Sequence, residues 1–130
     1  MTILVAYAPR PEGNAALQKG IELAKQQQVK LLVVNASPGG NDEDAAMADA
    51  SDIERIEELL AKSGVDGEVK QFVRGNDAVT EIESLINTRN IDLVIIGLRK
   101  RTAVGKLLLG SVAHDILMSV PCPVLAVKAS

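Results

Sequence analysis

The chain has 130 residues, 47% of them apolar and 2% aromatic, with a net charge of −3 and one cysteine. This length suits one domain, residues 1–130, with a core built from Val, Ile, Leu and Ala. The composition excludes an internal disulfide and a zinc-binding spacing of cysteines. It shows no apolar run near the ~20 residues that span a bilayer, and no net positive charge of the kind that draws a chain to nucleic acid or an anionic membrane.

Thr2–Tyr7 is a short apolar run and predicts the first strand. No basic leader precedes it, which with the single cysteine fits a reduced, cytoplasmic setting. Pro9 and Pro11 break the run, and Glu12–Gln28 then carries Ala16, Leu17, Ile21, Leu23 and Ala24 at helical spacing. Val29–Ala36 predicts the second strand, and Pro38-Gly39-Gly40-Asn41-Asp42 a loop. Residues 42–58 hold eight of the seventeen acids; Asp42, Glu43 and Asp44 lack the calcium-loop spacing and read as a solvated loop. A second helix is expected from about Ala45 to Lys62, with Ile53, Ile56, Leu59 and Leu60 on one face and Gly64 as its C-cap.

Glu68–Arg74 alternates and predicts an edge strand, the third. A third helix follows to about Arg89, capped by Asn76 or Asp77. Ile91–Ile96 predicts the fourth strand, residues 97–110 a loop, Ser111–Ser119 the last helix and Val124–Val127 the fifth strand. This alternation implies an α/β fold: a doubly wound parallel sheet with right-handed crossovers and helices on both faces.

The loop after the fourth strand carries the chemistry. Glycines let backbone N–H groups approach an anion, and a helix start adds unpaired donors and partial positive charge. Arg99, Lys100, Arg101 and Lys106 lie there with no acid among them. A Walker A loop fails at two positions: Leu107 follows Gly105-Lys106 where Ser or Thr is needed, and Lys100 stands where the first glycine belongs. The dinucleotide pattern G-x-G-x-x-G is absent from the stretch.

What the stretch resembles is the universal stress protein signature of Gly, two residues, Gly, nine residues, Gly, then Ser or Thr. Gly97 fills the first position and Gly110-Ser111 the last two, while Lys100 replaces the middle glycine. Met1–Ala6, Ile91–Gly97 and Pro121-Cys122-Pro123-Val124-Leu125-Ala126-Val127-Lys128 are similar to the family's opening, pre-loop and closing strands. The resemblance implies five parallel strands in the order 3-2-1-4-5, an adenine-nucleotide-binding alpha-hydrolase-like sheet. In such a sheet the ligand crevice lies at the reversal between strands one and four.

The resemblance also implies ATP or a related adenine nucleotide as ligand, with Mg, and a role as a stress-response sensor or regulator. The positions carried over are Ala8, Ala36, Gly97, Arg99, Lys100, Gly110, Ser111 and Val112. Two depart from the pattern: Ala8 stands where ATP-binding relatives have an Asp that touches ribose or base, and Lys100 where they have glycine. One lost hydrogen bond costs on the order of 0.5–1.5 kcal/mol, roughly tenfold in affinity, which the loop cations could offset. Other readings of the same residues are a nucleotide-free dimeric interaction module of the same fold, a weak ATPase, or a site for another anion such as a cyclic nucleotide or phosphate. In the plainest reading Gly97 is a tight turn, Gly110-Ser111 cap a helix and the cations are solvated.

No catalytic residue or metal site is indicated. His114 and Asp115 lie about 100° apart around a helix, and Cys122, between two prolines, reads as a small apolar residue. With one Phe and one Tyr there is no stacking platform for single-stranded nucleic acid. Family resemblance implies a homodimer through an edge formed by Val124, Leu125, Ala126 and Val127, and leaves room for an unidentified protein partner.

Overall fold

The computed structural model describes residues 1–36, 48–72, 78–100, 107–108 and 110–129. In chain order the elements are β1 (Thr2–Ala6), α1 (Pro11–Gln27), β2 (Lys30–Ala36), α2 (Ala50–Ser63), β3 (Gly67–Phe72), α3 (Ala78–Arg89), β4 (Ile91–Lys100), β5 (Leu107–Leu108), α4 (Ser111–Ser119) and β6 (Val124–Lys128).

Five strands are parallel neighbours in the order β3-β2-β1-β4-β6. This is the expected 3-2-1-4-5 sheet, with β6 as the fifth parallel strand. The two-residue β5 was not expected. It pairs antiparallel with the tip of β4, Arg99 opposite Leu108 and Lys100 opposite Leu107.

The pleat sorts apolar side chains between two layers. Ile3, Val5, Leu31, Val33 and Ile95 face one side and pack with Ala16, Leu17 and Ile21 of α1 and Ile56 and Leu60 of α2. Leu4, Leu32, Val34, Val94 and Ile96 face the other, with Ile82, Leu85 and Ile86 of α3 and Ile116 of α4. Strands buried on both faces are near-continuous apolar runs for this reason.

Two boundaries differ from expectation. The second helix starts at Ala50 rather than near Ala45; residues 45–47 lie outside the described residues. Asp49 is its N-cap, accepting from the Asp52 N–H at 2.9 Å while Asp52 accepts from the Asp49 N–H at 3.0 Å. This reciprocal cap satisfies two donors at the helix start. The preceding residue, Ala48, spends its N–H on the Asn35 side chain at 3.0 Å, which holds it out of the helix. The fourth strand does not stop at Ile96 but continues to Lys100, because β6 pairs with it through Leu98 and β5 pairs with its last two residues. Gly64 ends α2 in the left-handed conformation expected of a C-cap, φ 76°. The caps expected at Asn76 or Asp77 lie outside the described residues.

Candidate functional site

β1 last pairs with β4 through Val5 and Ile95, whereas β4 runs on to Lys100. The tip of β4 therefore stands beyond the carboxyl end of β1, at the reversal of strand order where open α/β sheets bind ligands. α4 begins beside it: Leu108, opposite Arg99, is two residues before Gly110.

Gly110 is the N-cap of α4, in extended conformation, and supplies no side-chain capping bond. The first-turn N–H groups of a helix have no intrahelical partner. The His114 N–H is the first to close a helical bond, to the Gly110 carbonyl at 2.8 Å. No acid occupies this first turn. A Cβ on Gly110 would meet no described atom within 4 Å. Val112 is exposed. Gly110, Ser111 and Val112 thus form one feature, a helix start at the crevice that is bare among the described residues.

Gly97 and Arg99 lie inside β4 rather than in a loop, and Gly97 is not a tight turn. A Cβ there would run into the backbone carbonyl of Glu12, so glycine is needed for the start of α1 to rest on β4. Two residues on, and so on the same face of the strand, Arg99 donates from Nε to Glu12 Oε2 at 2.8 Å. Arg99 is therefore tied to α1 as well as being the first cation of the basic stretch. Lys100 ends β4 opposite Leu107. Arg101 and Lys106 lie outside the described residues, as do Asp42, Glu43 and Asp44.

Ala8 follows β1. Its carbonyl accepts from the Arg10 N–H at 2.8 Å, and Gly13 of α1 packs so closely on that carbonyl that a Cβ would collide with it. Pro11 opens α1, where its missing N–H costs nothing and its fixed φ suits the helix. Ala36 is the last residue of β2, opposite Phe72.

Around these strand ends lies a polar network that the sequence reading missed. Asn35 is fully buried in β2. Its Nδ2 donates to the Tyr7 carbonyl at 2.9 Å, and its Oδ1 accepts from the Ala48 N–H at 3.0 Å and from Gln71 Nε2 at 2.9 Å. Gln71 Nε2 also reaches the Ala48 carbonyl, at 2.6 Å. Three strand ends and the entry to α2 are thus fixed around one side chain. On the α1 side, Arg55 donates to the Tyr7 hydroxyl at 2.9 Å and to Asn14 Oδ1 at 3.2 Å. Burial pushes the Tyr7 phenol up, against the opposing pull of Arg55. The signal for this network was present: Asn35 is the one polar residue in Leu31–Ala36, and Tyr7 is the only tyrosine.

The structure brings His114 Nδ1 within 3.5 Å of Asp115 Oδ1, closer than their angular separation suggested, but both side chains are exposed. Cys122 is half-buried against the α3 side of the core, and burial pushes its thiol up, away from reactive thiolate. Among the described residues no three His, Cys, Asp or Glu side chains gather as metal ligands. No helix among them is long and apolar enough to cross a membrane. Val124, Leu125, Ala126 and Val127 form most of β6, which pairs with β4 on one side.

Comparison with known proteins agrees with this arrangement. A solved structure of a universal stress protein from Archaeoglobus fulgidus superposes with a TM-score of 0.78 at 28% identity, covering 98% of this chain and 97% of that one. Another from the same organism, in complex with dAMP, has the same fold, with a TM-score of 0.72 at 23% identity over 98% of this chain and 96% of that one. A universal stress protein of Mycolicibacterium smegmatis is 44% identical over 97% of this chain and 96% of its own length. The universal stress protein family profile matches residues 1–128, and the chain belongs to that family.

Proposed function

We propose that this chain binds an adenine nucleotide, ATP or a related one, at the bare start of α4, and that it works as a sensor or regulator in the cytoplasm rather than as an enzyme. The observation that carries this reading is the uncapped, acid-free first turn at Gly110, Ser111 and Val112, set beyond the strand ends at the reversal of the sheet. Free N–H groups and the positive end of the helix dipole suit a phosphate. Among the described residues nothing lies within 4 Å of where a Gly110 Cβ would stand, which suits the approach of a phosphate oxygen. A domain of the same fold is known in complex with dAMP, which supports an adenosine phosphate as the ligand class.

The chain's own residues would divide the work. The backbone of Ser111 and Val112 would hold the phosphate, Arg99 would add positive charge, and the Asn35–Tyr7 network would keep the ends of β1 and β2 fixed around the nucleoside. A bound Mg would contribute charge neutralisation of the phosphates. In a regulatory cycle the nucleotide would change a surface presented to a partner.

Calorimetric titration with Mg-ATP, AMP, dAMP and cAMP at physiological salt tests the reading. A one-per-chain isotherm supports it, and flat traces to millimolar nucleotide would overturn it. A nucleotide-free interaction module is the second reading. It is favoured by Ala8, whose methyl cannot accept a hydrogen bond from ribose. Turnover of ATP that depends on magnesium and disappears in Ser111→Ala would instead mark a weak ATPase.

We further propose a homodimer formed by antiparallel pairing of β6 across a two-fold axis. The described residues place no strand on the outer side of β6, and an open edge is a template for pairing.

A further inference from the structure

Glu12 has no part in the signature, yet it touches the candidate site twice. Its backbone rests on Gly97, and its carboxylate takes the Nε edge of Arg99 at 2.8 Å. The two partners are unequally covered: the Glu12 side chain is 13% exposed and that of Arg99 47%. The carboxylate is the fixed member and the guanidinium the presented one.

A guanidinium offers five N–H donors in a planar fork. Among the described residues, the only bond that Arg99 makes through them is the one from Nε. Among these residues both amino groups remain for a second acceptor. The register puts Arg99 opposite Leu108, two residues before Gly110. Cross-strand and along-chain spacings therefore bring the Arg99 and Gly110 backbones within about 12 Å. An arginine side chain and a polyphosphate chain together span such a gap.

Glu12 also has a second favourable neighbour. It stands in the first turn of α1, where the helix dipole favours a carboxylate.

We propose that Glu12 is a positioning residue: it holds Arg99 by the Nε edge so that the two amino groups of the guanidinium face a phosphate bound at the start of α4. This rests on the anion-binding reading above and adds a residue to it. Planar two-point recognition of phosphate is what a pre-oriented arginine does best, and fixing the fork beforehand lowers the ordering cost of binding.

The sign of the effect separates positioning from bulk charge. Removing an acid beside a phosphate site should tighten binding if only charge matters. If Glu12 orients Arg99, removal weakens it. The test uses ATP and inorganic tripolyphosphate as probes on wild type, Glu12→Ala, Glu12→Gln, Arg99→Ala and the Glu12→Ala/Arg99→Ala pair, by calorimetry. The expected result is a loss of about tenfold in Glu12→Ala, an intermediate loss in Glu12→Gln, which keeps an acceptor, and no further loss from Glu12→Ala in the Arg99→Ala background.

Equal or tighter binding by Glu12→Ala, or an undiminished loss in the Arg99→Ala background, would overturn the proposal and leave nucleotide binding standing. If wild type takes tripolyphosphate but not ATP, and Glu12→Ala weakens it, the positioning role holds and the adenine-nucleotide reading fails. If wild type binds neither probe, both fall.

Discussion

The carboxamide of Asn35 donates to the carbonyl of Tyr7 at 2.9 Å, so a side chain from β2 holds the end of β1 in place. The same residue accepts from the Ala48 N–H and from Gln71. Asn35→Leu keeps the approximate volume and strands the Tyr7 carbonyl and the Ala48 N–H in a buried setting, while Gln71 keeps its bond to the Ala48 carbonyl. Each unsatisfied buried group costs about 1–3 kcal/mol. The expected loss is therefore on the order of 2 kcal/mol or more, read as a lower urea midpoint with an unchanged slope. A loss below about 1 kcal/mol would mean that water or Gln71 replaces the amide.

The Tyr7 hydroxyl accepts from Arg55 at 2.9 Å beneath the start of α1. Tyr7→Phe keeps the ring in its core position and removes that bond, at a cost of about 0.5–1.5 kcal/mol near neutral pH. The pH dependence follows from the raised phenol. Burial favours the neutral form, so the folded state holds the proton longer than the unfolded chain does. The contribution is fully present below the ordinary tyrosine value of 10.0 and is lost as pH rises through the higher folded value. Wild type should lose stability above about pH 10 more steeply than Tyr7→Phe. Because the chain has one tyrosine, phenolate absorbance reads the group directly, and the native protein should titrate later than protein in urea.

Gly97 is the first glycine of the family signature, and here it is a packing glycine. Gly97→Ala would drive a methyl into the Glu12 carbonyl. Overpacking of this kind typically costs about 1–3 kcal/mol. It would also lift Glu12 away from Arg99, so the variant should bind phosphate more weakly than its remaining stability accounts for. Gly110→Ala is the contrast. Its Cβ meets no described atom, so stability should move by less than about 0.5 kcal/mol. Any loss of nucleotide affinity there reports on the ligand's own approach to the backbone.

These residues show what was legible in the sequence and what was not. The apolar runs Ile3–Val5, Leu31–Val34 and Val94–Ile96 announced a parallel sheet because both its faces are covered. Gly64 announced a helix end because a left-handed cap favours glycine. The tip of β4 was illegible. Gly97-Leu98-Arg99-Lys100 has the composition of a loop, and it is a strand only because β6 and β5 pair with it from positions further along the chain. The same holds for Glu12 and Asn35. One looked like an ordinary first-turn acid and the other like the end of a strand, and their roles depend on partners 87 and 28 residues away. The bare start of α4 was visible as Gly110-Ser111 because its chemistry is local to the motif.

The last prediction concerns the open edge. Along β6 the ladder to β4 uses odd-numbered residues: the Pro123 carbonyl accepts from the Val94 N–H at 3.0 Å, and the Ala129 N–H donates to the Leu98 carbonyl at 3.3 Å. Backbone groups alternate in direction along a strand, so the Ala126 N–H points to the outer edge. Ala126→Pro removes a donor that β4 does not use, and proline is tolerated on an edge when its N–H side faces outward. The domain should therefore stay folded while edge pairing is blocked. Sedimentation equilibrium should show wild type as a dimer and Ala126→Pro as a monomer with a similar circular dichroism spectrum. A variant that remains dimeric would place the interface elsewhere. A wild type that is already monomeric would mean that β6 ends the sheet unpaired, with exposed Lys128 as the charge that keeps other strands off the edge.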